Sequence, residues 1–194
     1  MTTASTTQPL PPVPMAPASP RLSIDEFTAR HAGQRVELVK GIVKELPMTG
    51  TRHGYICTLI AAQLFQHVVS NKLGRVMSND TWVVTGPDSV RGGDVIYCSF
   101  DRLPPGDLPD GPLSVPPELV VEVRSPSDRW SDIFTKVGEY LRIGVNAVVV
   151  LDPATESASV YRPDVLQQIF RKTDTLTLPD VLPGFAVPVA QLFA

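Results

Sequence analysis

Leu119-Val120-Val121-Glu122-Val123-Arg124 places one carboxylate inside an otherwise apolar, β-branched run. Such a run, entered from Pro116-Pro117, has the character of a strand buried on both faces, as in the parallel part of an α/β sheet. An ionised carboxylate in that position is costly unless a cation or hydrogen-bond donors meet it. Earlier in the chain, Gly93-Asp94-Val95-Ile96 sets a second isolated acid within a strand-like segment spanning about Arg91 to Ser99.

The flanking segments extend the pattern. After Ser125-Pro126-Ser127-Asp128, the stretch from Arg129 to Ile143 carries Trp130, Ile133, Phe134, Val137 and Leu141 at helical spacing, and Gly144 closes it. Asn146 to Leu151 is a further buried strand ended by Asp152-Pro153, and Ser157 to Tyr161 pairs back on it. Leu176-Thr177-Leu178 and Phe185-Ala186-Val187 supply short strands before a last helical turn. On the N-terminal side, the proline-rich Asp101 to Pro117 is a loop, with short strands predicted around Arg75 to Ser78 and Thr81 to Val84. From about Arg52 to Asn71, Ile56, Ile60, Leu64 and Val68 recur every four residues beside Leu59 and Phe65, which marks an amphipathic helix. Arg35 to Val39 and Ile42 to Leu46, split by Lys40-Gly41, form a hairpin in which Glu37 and Glu45 face outward or into a site. Ser23-Ile24-Asp25-Glu26 opens a short helix running to His31 with a capping box. Helices interspersed with a hairpin, a meander and buried strands predict an α/β fold with a mixed central β-sheet flanked by helices.

Composition limits the function classes. At 194 residues and 43% hydrophobic content the chain fits one domain, assigned to residues 21–194. Residues 1–20, with six prolines and no charged side chain, have the composition of a disordered tail rather than of a signal peptide. Seventeen basic against twenty acidic residues give a net charge of −3, so any basic surface is local. No apolar stretch approaches the ~20 residues of a membrane helix. Cys57 and Cys98 sit in apolar segments without CxxC spacing, which suits reduced core thiols in a cytoplasmic protein. GxGxxG, GxxxxGK[ST] and GxSxG are all missing.

Strand alternation puts Val120, Glu122 and Arg124 on one face, so Glu122 and Arg124 are expected side by side. Asp94 shares its face with Gly92 and Ile96, and two adjacent strands would bring Asp94 and Glu122 onto one cation. Carboxylate oxygens suit Mg²⁺ or Mn²⁺. Lys136 borders the apolar stripe of its helix beside Arg129 and Tyr140, where its stem can lie along the packed face and its ammonium reach the end of the sheet. The competing assignment for Lys136 is an i,i+4 pair with Asp132. His53, near the start of its helix, either donates to a phosphate or merely caps; His31 and His67 have no functional case.

The ordered succession of Val36-Glu37-Leu38-Val39-Lys40-Gly41, Arg52-His53-Gly54, Gly93-Asp94-Val95, Leu119-Val120-Val121-Glu122-Val123 with Ser125-Pro126-Ser127-Asp128, Lys136-Val137-Gly138-Glu139-Tyr140-Leu141, Val149-Val150-Leu151-Asp152-Pro153 and Leu182-Pro183-Gly184-Phe185 resembles the bacterial Uma2 family, from about Leu22 to Phe193. That family is placed among endonucleases of the PD-(D/E)XK, restriction-endonuclease-like superfamily. The resemblance implies a restriction-endonuclease-like fold, Asp94 and Glu122 as metal-binding acids, and Glu37 as a further acidic member of the site. The superfamily pattern sets a lysine two residues after the second acid. Here that place holds Arg124, and the family pattern moves the lysine onto the following helix, at Lys136. Gly93 stands where the superfamily name has proline. The implied function is a metal-dependent nuclease hydrolysing phosphodiester bonds in nucleic acid, with DNA as substrate and a homodimer as assembly. The alternatives are a catalytically inactive nuclease-fold module that binds nucleic acid or oligomerises, and a purely structural pairing of Asp94 and Glu122 with amides or arginines.

Overall fold

The computed structural model describes residues 20–194, so the segment assigned as a tail lies, Pro20 apart, outside the described residues. Helix α1 (Ile24–His31) starts at Ser23, whose hydroxyl accepts from the Glu26 amide while the Glu26 carboxylate accepts from the Ser23 amide. This is the capping box expected from the sequence. Strands β1 (Val36–Val39) and β2 (Ile42–Glu45) turn through Lys40 and Gly41, both at positive φ (52° and 78°). That backbone is the type I′ turn whose twist suits a two-residue hairpin, and glycine adopts it without strain.

Helix α2 (Thr51–Ser70) is followed by β3 (Gly74–Gly86), β4 (Ser89–Ser99), β5 (Leu119–Val123), α3 (Trp130–Arg142), β6 (Ala147–Asp152), β7 (Ser157–Arg162) and β8 (Val165–Phe170). Strands β9 (Thr175–Leu178) and β10 (Leu182–Pro188) form a separate two-stranded sheet before a short 3₁₀ turn, Val189–Leu192. The main sheet has eight strands in the order β2-β1-β4-β5-β6-β7-β8, with β3 also paired to β4. It is mixed but mostly antiparallel: β5 and β6 run parallel, joined by α3, as their near-continuous valines suggest.

The helices cover opposite faces. Ile56, Ile60, Leu64 and Val68 of α2 pack on Val95, Tyr97, Leu119, Val121 and Val149, together with the β9–β10 hairpin. Ile133, Val137 and Tyr140 of α3 pack on Ile96, Val120, Val148 and Val150. Burying each such aliphatic side chain contributes about 1.5–3 kcal/mol, and the alternation of β5 between the two cores fixes its register. No helix among the described residues is long and apolar enough to cross a membrane.

Three local expectations need correction. The two short strands predicted at 75–78 and 81–84 are one strand, β3, broken by a bulge at Asn79 and Asp80, both at positive φ (68° and 55°). Strand β8 was not anticipated, because Val165-Leu166-Gln167-Gln168-Ile169-Phe170 has no period-2 alternation; it is an exposed sheet edge, which needs none. Trp130 and Phe134 do not join the buried stripe of α3. They are 36% and 50% exposed, and Tyr140 fills the inner face instead.

Candidate active site

Strand β4 creates the site through a gap in its pairing. One of its edges pairs with β3 along almost its whole length. The other edge meets β1 at Val90 and β5 only from Val95 to Tyr97, so Arg91 to Asp94 have no ladder partner there. Buried backbone groups must be satisfied by something, and here side chains take the role of the absent strand. The Gly92 amide donates to Glu37 Oε1 (3.2 Å), and the Gly92 carbonyl accepts from Lys136 Nζ (3.1 Å) and the Tyr140 hydroxyl (3.2 Å).

Around that gap lies a buried ionic network. Lys136 Nζ is 2.9 Å from Glu122 Oε2 and 3.0 Å from Glu37 Oε1, so with Gly92 its three donors are all placed. Tyr140 donates to the other oxygen of Glu122 at 3.0 Å. Arg91 bonds Glu139 through two nitrogens (2.6 and 2.9 Å) and Glu37 through a third (2.9 Å). Three carboxylates thus face two cations. Burial pushes the Glu122 carboxyl up to about 7, reinforced by the charges of Asp94 and Glu37 and opposed by Lys136. Burial alone would lower Lys136, but Glu122 and Glu37 hold it well above the ordinary lysine value, so it keeps its proton. For Glu37, burial pushes upward but Lys136 and Arg91 prevail and lower it.

Asp94 sits where the β4–β5 ladder stops. Its Oδ2 accepts from the Val123 amide (2.7 Å) and lies 3.4 Å from His53 Nε2, on the first turn of α2. Burial would lower His53, but the bond to Asp94 and its charge raise it on balance, favouring the imidazolium. Cys57, one turn along α2, has its sulfur 3.5 Å from His53 Nδ1. Asp80, in the β3 bulge, bonds Arg35 at 2.8 Å, and its carboxyl is raised by burial and by Asp94. These residues line a cleft of about 480 Å³ that continues past Phe65. Glu122 and Lys136 open on a second cleft of about 560 Å³, whose walls carry Lys40, Lys44 and Arg142.

Two donor sets include Asp94. The ligand atoms of His53, Cys57 and Asp94 lie within 4.8 Å of one another. Burial and the surrounding acids raise the Cys57 thiol, however, so it stays protonated and is a poor ligand. Asp94 and Glu122 form a second pair of oxygen donors: the charge of Asp94 raises the Glu122 carboxyl, although Asp94 lines the first cleft and Glu122, whose two oxygens accept from Lys136 and Tyr140, the second. The chemistry of that set fits a hard divalent cation.

Arg124 is not beside Glu122 as strand alternation suggested. β5 ends at Val123, and the Arg124 guanidinium turns to Asp152 Oδ1 (3.2 Å) and over the Trp130 ring (4.9 Å). It lines a third cleft, about 310 Å³, with Arg52, His53 and Ser125. Lys136, from α3, is the cation on Glu122, and its pairing is with Glu122 and Glu37 rather than Asp132.

Sequence inspection missed Arg91, Glu139, Tyr140 and Asp80. Arg91 precedes Gly92-Gly93-Asp94 by one residue, and Glu139 lies on α3 one turn after Lys136. A buried arginine inside an apolar strand carries the same energetic signal as Glu122 and would have pointed to them.

The comparisons with known proteins bear on the family and the fold. The family model of Uma2, described as "Putative restriction endonuclease", matches residues 23–190. Among solved structures, the chain is similar to a protein from Anabaena variabilis ATCC 29413 described as "a putative nuclease belonging to DUF820", with a TM-score of 0.77 and 18% identity over 89% of this chain and 97% of that one. A search of curated proteins found no match. With the family model spanning residues 23–190, the chain belongs to the Uma2 family.

Proposed function

We propose that this protein is a divalent-metal-dependent endonuclease that hydrolyses phosphodiester bonds in DNA, with Asp94 and Glu122 holding Mg²⁺ or Mn²⁺. The observation that supports it most is Lys136 Nζ at 2.9 Å from Glu122 Oε2, in the sheet gap beside Asp94. A lysine from the following helix thereby stands at the second acid, where Arg124 had left the motif incomplete.

A bound Mg²⁺ would supply Lewis-acid charge to a phosphoryl oxygen and lower the pKa of a bound water. The other roles fall to the chain itself. Lys136 keeps its proton and has its donors engaged, so it acts through its fixed charge and by orienting the Glu122 carboxylate, not as a base. Glu37 anchors Lys136 and is itself held by Arg91. His53, favoured in its charged form by Asp94, brings positive charge toward a phosphate from the start of α2. Arg124 and Arg52, lining the adjoining cleft, clamp flanking backbone phosphates.

Calorimetric titration with Mn²⁺ tests the site without a substrate. The wild type is expected to bind, and Asp94→Asn and Glu122→Gln to lose that heat while remaining folded by circular dichroism. Uptake unchanged in either variant would remove the assignment.

A further inference from the structure

The exposed aromatic residues of α3 point to the form of nucleic acid that the protein takes. Trp130 and Phe134 are one helical turn apart, and their rings lie 5.6 Å apart between centroids and within 26° of parallel. Both face solvent, at 36% and 50% exposure. The edge of the row meets Tyr161 of β7, 6.1 Å from Phe134 in a T-shaped contact. The next turn of the same stripe is Gly138, where an added Cβ would meet nothing within 4 Å, so the surface beyond Phe134 is open. Two large rings left in water cost the fold burial that the inner face of α3 could have used. Arg124 covers one face of Trp130, while Phe134 keeps half of its surface open to solvent.

Two arginines border them, alongside Asp128 and Asp132. The Arg124 guanidinium lies over the Trp130 ring, and Arg129, the residue before it, is exposed and in no ion pair among the described residues. The row is also continuous with the candidate active site. Arg124 follows Glu122 by two residues and shares a cleft with His53, which itself lies 3.4 Å from Asp94. From Asp94, the path therefore runs by His53 and Arg124 to Trp130 and Phe134, on the flank of α3 away from Lys136.

Aromatic faces interleaved with arginines are how proteins hold unpaired bases, since every base offers a π-face and each phosphate a charge. In a duplex the bases are stacked on one another and cannot reach such rings. We infer that Trp130 and Phe134 form a stacking platform for unpaired bases, so that the protein engages single-stranded DNA, or a single-stranded stretch within a duplex, beside its cleavage site. The inference rests on the nuclease assignment for the word cleavage, but the binding it describes does not require turnover.

The test is therefore done in EDTA, where a failure of the catalytic assignment cannot mask the result. A 15-nucleotide oligothymidylate and a 15-base-pair duplex are titrated against the full chain by fluorescence anisotropy, with Trp130 emission as second readout. The single strand is expected to bind more tightly than the duplex and to quench emission, with the quenching lost in Trp130→Phe. Phe134→Ala is expected to weaken single-strand binding roughly tenfold or more, the scale of one lost base–aromatic stack. Because Phe134 is half exposed, its melting temperature serves as the check that the fold is intact. Equal affinity for duplex and single strand, or unchanged single-strand binding in a folded Phe134→Ala, would overturn the inference. A protein partner on the same face would give that second result.

Discussion

Replacing Arg91 by Met tests the buried network that holds the site together. Arg91 and its partners Glu37 and Glu139 have side-chain exposures of 6%, 3% and 12%. The substitution keeps the volume but removes the bonds at 2.6, 2.9 and 2.9 Å. Glu37 would retain Lys136 and the Gly92 amide. Glu139 would be left with the Thr85 hydroxyl at 3.4 Å, which makes it an almost unpaired buried carboxylate. Breaking a buried pair from one side costs about 3–5 kcal/mol, against less than about 1 kcal/mol for the exposed Arg30–Glu26 pair, which serves as control. The pH dependence has a definite sign. Glu37 is held below the ordinary glutamate value of 4.5 by Lys136 and Arg91 against its burial, so the stability it contributes is present above that value and lost as pH falls through the lower, folded one. Arg91→Met withdraws one of those charges. Its deficit against wild type should therefore be full at pH 7.5 and diminish as pH falls below 4.5 through the folded Glu37 value, measured by urea unfolding at both ends of that range. A loss under about 1 kcal/mol at pH 7.5, or a larger loss at pH 4, would refute this account of the network.

Other expectations follow from the same geometry. Because the Glu122 carboxyl is pushed up to about 7, metal uptake must displace a proton below that pH; affinity for Mn²⁺ should fall by up to about tenfold per unit between pH 7 and pH 5, with proton release visible by calorimetry in buffers of different ionisation enthalpy. Lys136→Ala should reduce cleavage by about 10²–10³-fold, while Arg124→Ala, whose side chain is held by Asp152 away from Glu122, should chiefly weaken substrate binding; the reverse ranking would return the lysine role to Arg124. Gly93→Ala would place a Cβ 2.8 Å from Ile96 Cγ2 and 3.3 Å from Val120 Cγ1 in the core between β4, β5 and α3. Such overpacking costs about 1–3 kcal/mol, and a thermal melt equal to wild type would show that this packing has room to spare.

Much of this molecule is legible in the sequence because its core elements obey strong local rules. The four-residue repeat of Ile56, Ile60, Leu64 and Val68, the unbroken valines of β5 and β6, and the capping box at Ser23 each admit one structure. Glu122 and Asp94 stood out because each violated the hydropathy of its strand. Lys136 could be placed on the border of the α3 stripe by its helical angle. What local rules do not carry is the pairing of β4. That its edge is free from Arg91 to Asp94 depends on where β1 and β5 meet it, and this gap recruits Arg91, Glu139 and Tyr140. The same limit explains Arg124: alternation holds only while the strand lasts, and β5 ends one residue before it. Trp130 and Phe134 have the helical spacing of core residues, yet the inner face of α3 is only wide enough for Ile133, Val137 and Tyr140.

If Asp94 and Glu122 support metal-dependent cleavage of DNA, relaxation of supercoiled plasmid reports it. Supercoiled plasmid incubated with the purified chain and Mn²⁺ or Mg²⁺ should be nicked or linearised, with EDTA, Asp94→Asn and Glu122→Gln each abolishing the conversion in folded protein. Cleavage that persists in folded Glu122→Gln, or wild-type protein that binds the metal and leaves plasmid and single-stranded DNA intact, would contradict it.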